Sequence, residues 1–287
     1  MPLLDELLSL SVPKLKERFL DRARPVPEGL LEALARDERH GARGLAKRIR
    51  QKREKNRAEG QRLRHLLRYE AELWDAGVQL IAGVDEAGMA PLAGPVVAGA
   101  VILPKHHRLK GLDDSKKILD PAKREELAQA IKADAIAWAA GWATVEEVDA
   151  LNIYHAGLLA MRRAVESLSR RPDFCLVDAR KIPQCAIPQR GIIHGDALSM
   201  SIAAASIIAK TTRDAYMTQL DEQFPGYGFA AHKGYPTPKH RRALEKLGAS
   251  AVHRRTFALV RQAMGLAPVQ TELFAASSAV RPGRRAP

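Results

Sequence analysis

The stretch IAGVDEAGMAPLAGPVVAGAVILP, Ile81 to Pro104, places two short apolar runs on either side of a loop punctuated by Gly and Pro. Both runs have the length and the small or β-branched composition of buried strands. Two adjacent acids, Asp85 and Glu86, close the first run directly before the loop. A strand end followed by a tight turn is where side chains and backbone groups converge on ligands. Successive strand residues point to opposite faces, so these two acids are expected to share a site only if the strand ends or bulges between them.

Downstream, AIAWAAGWATVEEV predicts a third strand running into a helix that starts at Thr144, with Glu147 completing a capping box. NIYHAGLLAMRRAVESLSRR predicts an amphipathic helix, FCLVDA a buried strand, GIIHGD another short strand, and ALSMSIAAASIIAKTTRDAYMTQLDEQF one long helix rich in small residues. Strands that come first and then alternate with helices point to an α/β class with a mixed central sheet flanked by helices. Upstream, Leu4, Leu7, Leu8, Leu10, Leu15 and Phe19 recur at helical spacing until Pro25 and Pro27 interrupt them. From Arg43 to Arg68 there are eleven Lys or Arg and two acids, Glu54 and Glu59. Such a run fits a nucleic-acid-facing helix and a solvated helix face equally well. The expected organisation is a basic helical extension over 1–77, a catalytic domain with C-terminal helices over 78–264, and a disordered basic tail over 265–287.

A hydrophobic content of 46% with 28% charged residues belongs to a soluble globular protein. The 46 Lys and Arg exceed the 33 Asp and Glu by 13, a surplus that suits a polyanionic partner such as nucleic acid, with a merely soluble basic protein as the alternative. Two cysteines, Cys175 and Cys185, with no CxxC pair, give zinc and a disulfide framework little support. Acids in the first residues and the lack of an apolar run approaching about 18 residues argue against a secretory signal and a membrane span, so a cytoplasmic location is expected.

Two more acids interrupt or follow apolar runs: Asp178 after FCLV and Asp196 after GIIHG. With Asp85 and Glu86 they make four carboxylates at predicted strand ends, the edge where sheets of this class gather ligand groups. Clustered carboxylates repel one another unless cations sit between them. Oxygen donors without His or Cys favour Mg²⁺ or Mn²⁺, and four acids could hold two ions about 4 Å apart. Together with the positive charge, this reads as a metal-dependent nuclease. An Asp after a strand is more often a turn former or helix N-cap, an objection that weighs most on Asp196.

With those residues in view, GVDEAGMAPLAGPVVAGAVIL resembles the opening signature of the type 2 ribonucleases H, the bacterial ribonuclease HII family. GLDDSKKI with KREEL, LNIYHAGLLAMRRAV, LVDARKIP, GDALSMSIAAASIIAKTTRDAYM, YGFAAHKGYPTPKH and HRRTF follow in order over about residues 80–260. The resemblance implies a ribonuclease H-like fold, hydrolysis of the RNA strand of RNA–DNA hybrids, and incision 5′ of ribonucleotides embedded in duplex DNA. It implies that Asp85, Glu86, Asp178 and Asp196 hold two Mg²⁺ or Mn²⁺ ions, and that Tyr235 packs where a ribonucleotide meets the next deoxyribonucleotide. It further assigns phosphate contact to Ser115, Lys116 and Lys117, which otherwise read as a solvated loop. Lys210 and Arg213, at the end of the long helix, suit phosphate contact or a helix-dipole role. A monomer with an unidentified replication or repair partner is expected.

Where the family usually reads Gly-Arg-Gly, this chain has Gly88, Met89 and Ala90. That turn inspects the ribose 2′-hydroxyl largely through backbone groups in the family, so the turn is expected to keep its shape with Ala90 at negative φ. Ala179 stands where glycine often follows the Val-Asp pair, and His194 where lysine is common. A non-catalytic nucleic-acid-binding protein, or a metal-dependent DNA nuclease on the same fold, are the rival readings.

Overall fold

The computed structural model describes residues 2–107, 109, 112, 118 and 120–266. Ser115, Lys116 and Lys117 lie outside these residues, as does the expected tail from residue 267 onward. The chain divides into two compact units, Met1–Leu66 and Leu67–Pro287, ahead of the boundary expected at residue 77.

In the first unit, helices α1 (Pro2–Leu8), α2 (Val12–Lys16), a π-helical turn (Glu17–Asp21), α3 (Leu30–Arg36) and α4 (His40–Leu66) surround a small apolar core. Leu7, Leu15, Phe19, Leu30, Leu34, Leu45 and Ile49 bury their side chains together, matching the helical spacing of the leucines. Arg39 fastens the start of the chain to this core by donating to the carbonyls of Leu8 at 2.9 Å and Leu10 at 2.8 Å. Its guanidinium also pairs with Asp37 at 2.6 Å and holds that carboxyl down to about 2. Beyond Ile49 the helix leaves its core, and residues 51–58 are exposed all round. These residues carry Lys52, Arg53, Lys55 and Arg57 of the basic run, all exposed.

The second unit contains α5 (Arg68–Asp75), strands β1 (Ile81–Ala87) and β2 (Val96–Ile102), α6 (Pro121–Asp134), β3 (Ala137–Ala143), α7 (Val145–Leu151), α8 (Ile153–Glu166), β4 (Phe174–Asp178), β5 (Gln189–Ile192), α9 (Gly195–Leu198), α10 (Met200–Gln223), α11 (Phe229–His232), α12 (Pro238–Leu247) and α13 (Ala258–Ala263). The strands form one sheet in the order β3-β2-β1-β4-β5. β1 pairs antiparallel with β2 and parallel with β4, so the sheet is mixed, as the order of elements in the sequence predicts. The Thr144–Glu147 capping box opens α7 as expected.

Helices cover both faces. α8 packs on the face formed by Ala82, Val84, Ala98, Ala100 and Val177. α10 lies on the opposite face so closely that a Cβ on Gly83 would fall 2.0 Å from the Ser201 carbonyl carbon, and one on Gly99 would fall 2.3 Å from the Ala205 oxygen. Small residues on both surfaces bring the helix backbone down onto the strands, which explains the Ala- and Ser-rich composition of α10.

Two sequence expectations change. The segment read as one helix from Ala197 splits at Ser199, which is extended at φ −130°, ψ 130° and accepts from Ile202 N–H as the N-cap of α10. The strand read as GIIHGD lies earlier, over Gln189–Ile192. Gln189 and Arg190 are polar and hide the strand signal, and Ile193 is 71% exposed beyond its end.

Candidate active site

β1 continues in regular register through Asp85 opposite Gly99, Glu86 opposite Ala98 and Ala87 opposite Val97. No bulge separates the two acids, contrary to the sequence expectation. They meet in one site for a different reason: β4 pairs with β1 only as far as Val84. Asp85 and Glu86 therefore stand beyond their parallel neighbour at the sheet's edge, where a cavity can reach them from both faces. Asp85, in step with Gly83, points to the α10 face, where it accepts from the Ser206 hydroxyl. Glu86 points to the α8 face, with Oε1 3.2 Å from Nη2 of Arg180.

Asp178 ends β4 on the same face as Leu176, toward α10, and accepts from the Gly195 amide at 2.7 Å. A cavity of about 370 Å³ is lined by Asp85, Glu86, Asp178, the Ala87–Ala90 turn, Arg180, Ser206, Lys210 and Tyr235. Three of the four carboxylates predicted from sequence are thus brought together. Asp196 sits on α9 at 4% exposure, next to the amide that ties Asp178, and the cavity's described lining does not include it.

Burial pushes the Asp85 carboxyl well above its ordinary range, and the charges of Glu86 and Asp178 push it further. The Ser206 hydroxyl and the Glu86 amide, which donates to Asp85 at 2.8 Å, oppose the shift in part. Mutual repulsion among three nearby carboxylates is the electrostatic signature of a site that a divalent cation would relieve, and an all-oxygen donor set suits Mg²⁺ or Mn²⁺. As the side chains lie, Glu86 is turned to Arg180 and Asp178 to Gly195. Among the described residues no group of three His, Cys, Asp or Glu is arranged to hold an ion.

The turn after β1 answers the question raised by Met89 and Ala90. Gly88 takes the left-handed conformation at φ +96°, and a Cβ there would meet Nε of Arg213 at 2.3 Å. Ala90 is absent from the residues with positive φ, so the turn does not require glycine at that position. The Met89 side chain packs on the sheet-and-α8 core, with its sulfur against Gly157, while exposed Ala90 lines the cavity.

Tyr235 stands between this cavity and a second one of about 520 Å³ that Arg124, Lys210, Asp214 and Lys233 also line. Lys210 Nζ lies 5.5 Å from its ring centroid and 2.7 Å from Asp214. Arg213 corrects the sequence expectation of a phosphate contact. It is 0% exposed and donates to the carbonyls of Ala93, Pro95 and Lys233, so it holds backbone instead of facing a ligand. Behind Tyr235 lie His232, His240 and His253, all buried, with His240 Nδ1 2.9 Å from the Tyr235 carbonyl.

Residues 82–260 match the Ribonuclease HII family and residues 11–74 match the Ribonuclease HII N-terminal domain. The chain belongs to the ribonuclease HII family. A ribonuclease HII of Myxococcus xanthus is 65% identical over 94% of this chain and 94% of its own length, and one of Anaeromyxobacter is 61% identical over 97% and 89%. Among solved structures, the ribonuclease H2 of Pyrococcus horikoshii superposes with a TM-score of 0.56 at 25% identity, covering 65% of this chain and 97% of its own. The five-stranded mixed sheet with its flanking helices is therefore a ribonuclease H-like fold, as the sequence resemblance implies.

Proposed function

We propose that this ribonuclease HII family member is a divalent-cation-dependent endonuclease that hydrolyses the RNA strand of RNA–DNA hybrids and incises 5′ of ribonucleotides embedded in duplex DNA. The observation that carries the reading is a single cavity in which Asp85, Glu86 and Asp178 face the Gly88–Ala90 turn and Tyr235. Carboxylates, a backbone turn and an aromatic face are the three parts needed to act on a phosphodiester next to a ribose.

Asp85, Glu86 and Asp178 are the residues that would hold Mg²⁺ or Mn²⁺, with Asp196, beside the Gly195 amide, as the fourth ligand. Bound ions would supply a deprotonated water for attack on phosphorus and charge neutralisation at the departing oxygen. The remaining work belongs to the chain. Ser206 and the Glu86 amide orient the Asp85 carboxylate by donating to it. Arg180, 3.2 Å from the Glu86 carboxylate, holds that side chain in place by their ion pair. Tyr235 offers its ring to the sugar and base at the junction, and Lys210 beside that ring faces the phosphates. Gly88, Met89 and Ala90 present backbone to the 2′-hydroxyl, and Ser115, Lys116 and Lys117 complete the phosphate contacts.

Cleavage of a uniform RNA–DNA hybrid tests this reading. The full-length protein is expected to cut the RNA strand with Mg²⁺ or Mn²⁺ and to stop in EDTA. Hybrid binding without any cleavage would favour a non-catalytic nucleic-acid-binding protein. Cleavage of all-DNA duplexes at a comparable rate would favour a DNA nuclease.

A further inference from the structure

The loop from Gly88 to Pro95 makes little regular secondary structure, so something other than a helix or strand must satisfy its inward carbonyls. Arg254, 0% exposed and far away in sequence, does this with one guanidinium. Its Nη2 donates to Gly88 at 2.7 Å and Pro95 at 3.2 Å, Nη1 to Pro91 at 2.8 Å and Met89 at 3.2 Å, and Nε to Gly94 at 2.9 Å. Arg213 braces the same loop from α10 through Ala93 at 3.1 Å and Pro95 at 3.0 Å. Burial pushes Arg254 down to about 9, with the charge of Arg213 adding to the shift, which still leaves it protonated at neutral pH.

A guanidinium is planar and carries its N–H groups in a fixed fork, so carbonyls that share one are fixed relative to each other. Among the described residues there are no cis peptide bonds, and in a planar trans peptide the N–H points opposite to the C=O. Because the Gly88 and Met89 carbonyls face Arg254, the amides of Met89 and Ala90 point away from it. Both residues line the cavity that holds the three carboxylates.

We infer that Arg254 is a positioning residue for ribose recognition, fixing the backbone of the Gly88–Ala90 turn from behind so that its amides are set toward the sugar. This rests on the proposed reading of that turn as the 2′-hydroxyl reader. It also gives a physical reason why Met89 and Ala90 can replace the usual residues: the turn is held through its carbonyls, and its side chains are dispensable for its shape.

The test is the ratio of affinities of the full-length protein for two duplexes that differ by a single ribonucleotide, measured in Ca²⁺, which suits oxygen ligands. Arg254→Lys keeps the charge but loses the fork. The ratio is expected to fall about tenfold toward one, a change of about 1.4 kcal/mol, while affinity for the all-DNA duplex is unchanged. Ile131→Ala, a core truncation in α6, serves as a destabilised control and is expected to keep the natural ratio. A folded Arg254→Lys protein with the natural ratio overturns the inference and leaves the reading of the turn intact. A ratio of one in the natural protein overturns both. If Arg254→Lys does not fold, Arg213→Lys is read the same way, since it holds Ala93 and Pro95 of the same loop, and an unchanged ratio there is equally contradictory.

Discussion

The Nε2 atoms of His240 and His253 stand 3.1 Å apart in the interior behind Tyr235. The donors around them fix every proton. His253 Nδ1 accepts from the Ser250 amide at 3.0 Å, so in the neutral ring Nε2 carries hydrogen and donates to His240, whose Nδ1–H then donates to the Tyr235 carbonyl at 2.9 Å. The same logic makes His232, which accepts from the Gly234 amide at Nδ1, a donor to the Tyr227 carbonyl. A second proton on His240 or His253 would set two N–H groups against each other.

The relay therefore predicts loss of stability in acid. Burial and the neighbouring His240 bring His253 down to about 4 from 6.5, and burial lowers His240 as well. A folded-state value below the unfolded one means that the stabilisation is complete above about pH 6.5 and is lost as pH falls toward 4, with His253 alone contributing on the order of 2 kcal/mol between pH 7 and pH 5. Glu70 and Asp85, raised by burial, act with the opposite sign. The measurement is thus a difference: urea denaturation across this range should show a flatter pH dependence for His253→Gln than for the natural protein. Equal slopes would mean that the relay is not neutral as drawn.

Ala179 stands at φ +49°, in the left-handed region, directly after Asp178. Ala179→Gly is expected to stabilise the protein by about 1 kcal/mol by relieving that conformation. Ala90→Gly, at a position of negative φ, is expected to give no gain and to cost up to about 1 kcal/mol in chain entropy. Denaturant midpoints of the two variants should move in opposite directions.

Glu70 reaches the first turn of α10 from α5, accepting from the Ser199 hydroxyl at 2.6 Å and the Ser201 amide at 2.9 Å at 1% exposure. Glu70→Ala leaves a buried helix-end amide without its acceptor and should cost about 2–3 kcal/mol, whereas Glu70→Gln keeps an acceptor and should cost less than about 1 kcal/mol. Since α10 carries Ser206, Lys210 and Arg213, cleavage by Glu70→Ala should fall along with stability. Calorimetry and initial rates on the same preparations check both.

Restoring the family's turn should change little. Met89→Arg with Ala90→Gly is expected to alter kcat/KM on a single embedded ribonucleotide by less than about fivefold, or about 1 kcal/mol. Gly88→Ala should abolish cleavage, because a Cβ there collides with Arg213 at 2.3 Å and φ is +96°. No cleavage by the natural protein and robust cleavage by the double variant would show that the turn has lost its function.

Periodicity and strand-end acids carried most of the architecture. The runs around Asp85, Glu86 and Asp178 place these carboxylates because apolar strands and their polar ends are local signals. The Thr144–Glu147 box is equally local. The break at Ser199 was hidden because it depends on Glu70, distant in sequence. The sequence left Arg213 between a phosphate contact and a helix-dipole role, since an arginine near a helix end says nothing about what lies above it; a buried guanidinium with backbone acceptors is visible only in three dimensions. HRRTF marked Arg254 as part of a motif without a role, and the three histidines converge only when α11, α12 and the segment after α12 pack together.

On a duplex with a single ribonucleotide, the natural protein in Mg²⁺ or Mn²⁺ should incise on the 5′ side of that ribonucleotide and leave a 3′-hydroxyl and a 5′-phosphate, with no product in EDTA. Asp85→Asn should still bind the duplex but lose nearly all turnover, at least about 100-fold or 3 kcal/mol. Cleavage by Asp85→Asn at the natural rate, or by the natural protein in EDTA, would contradict the carboxylate site.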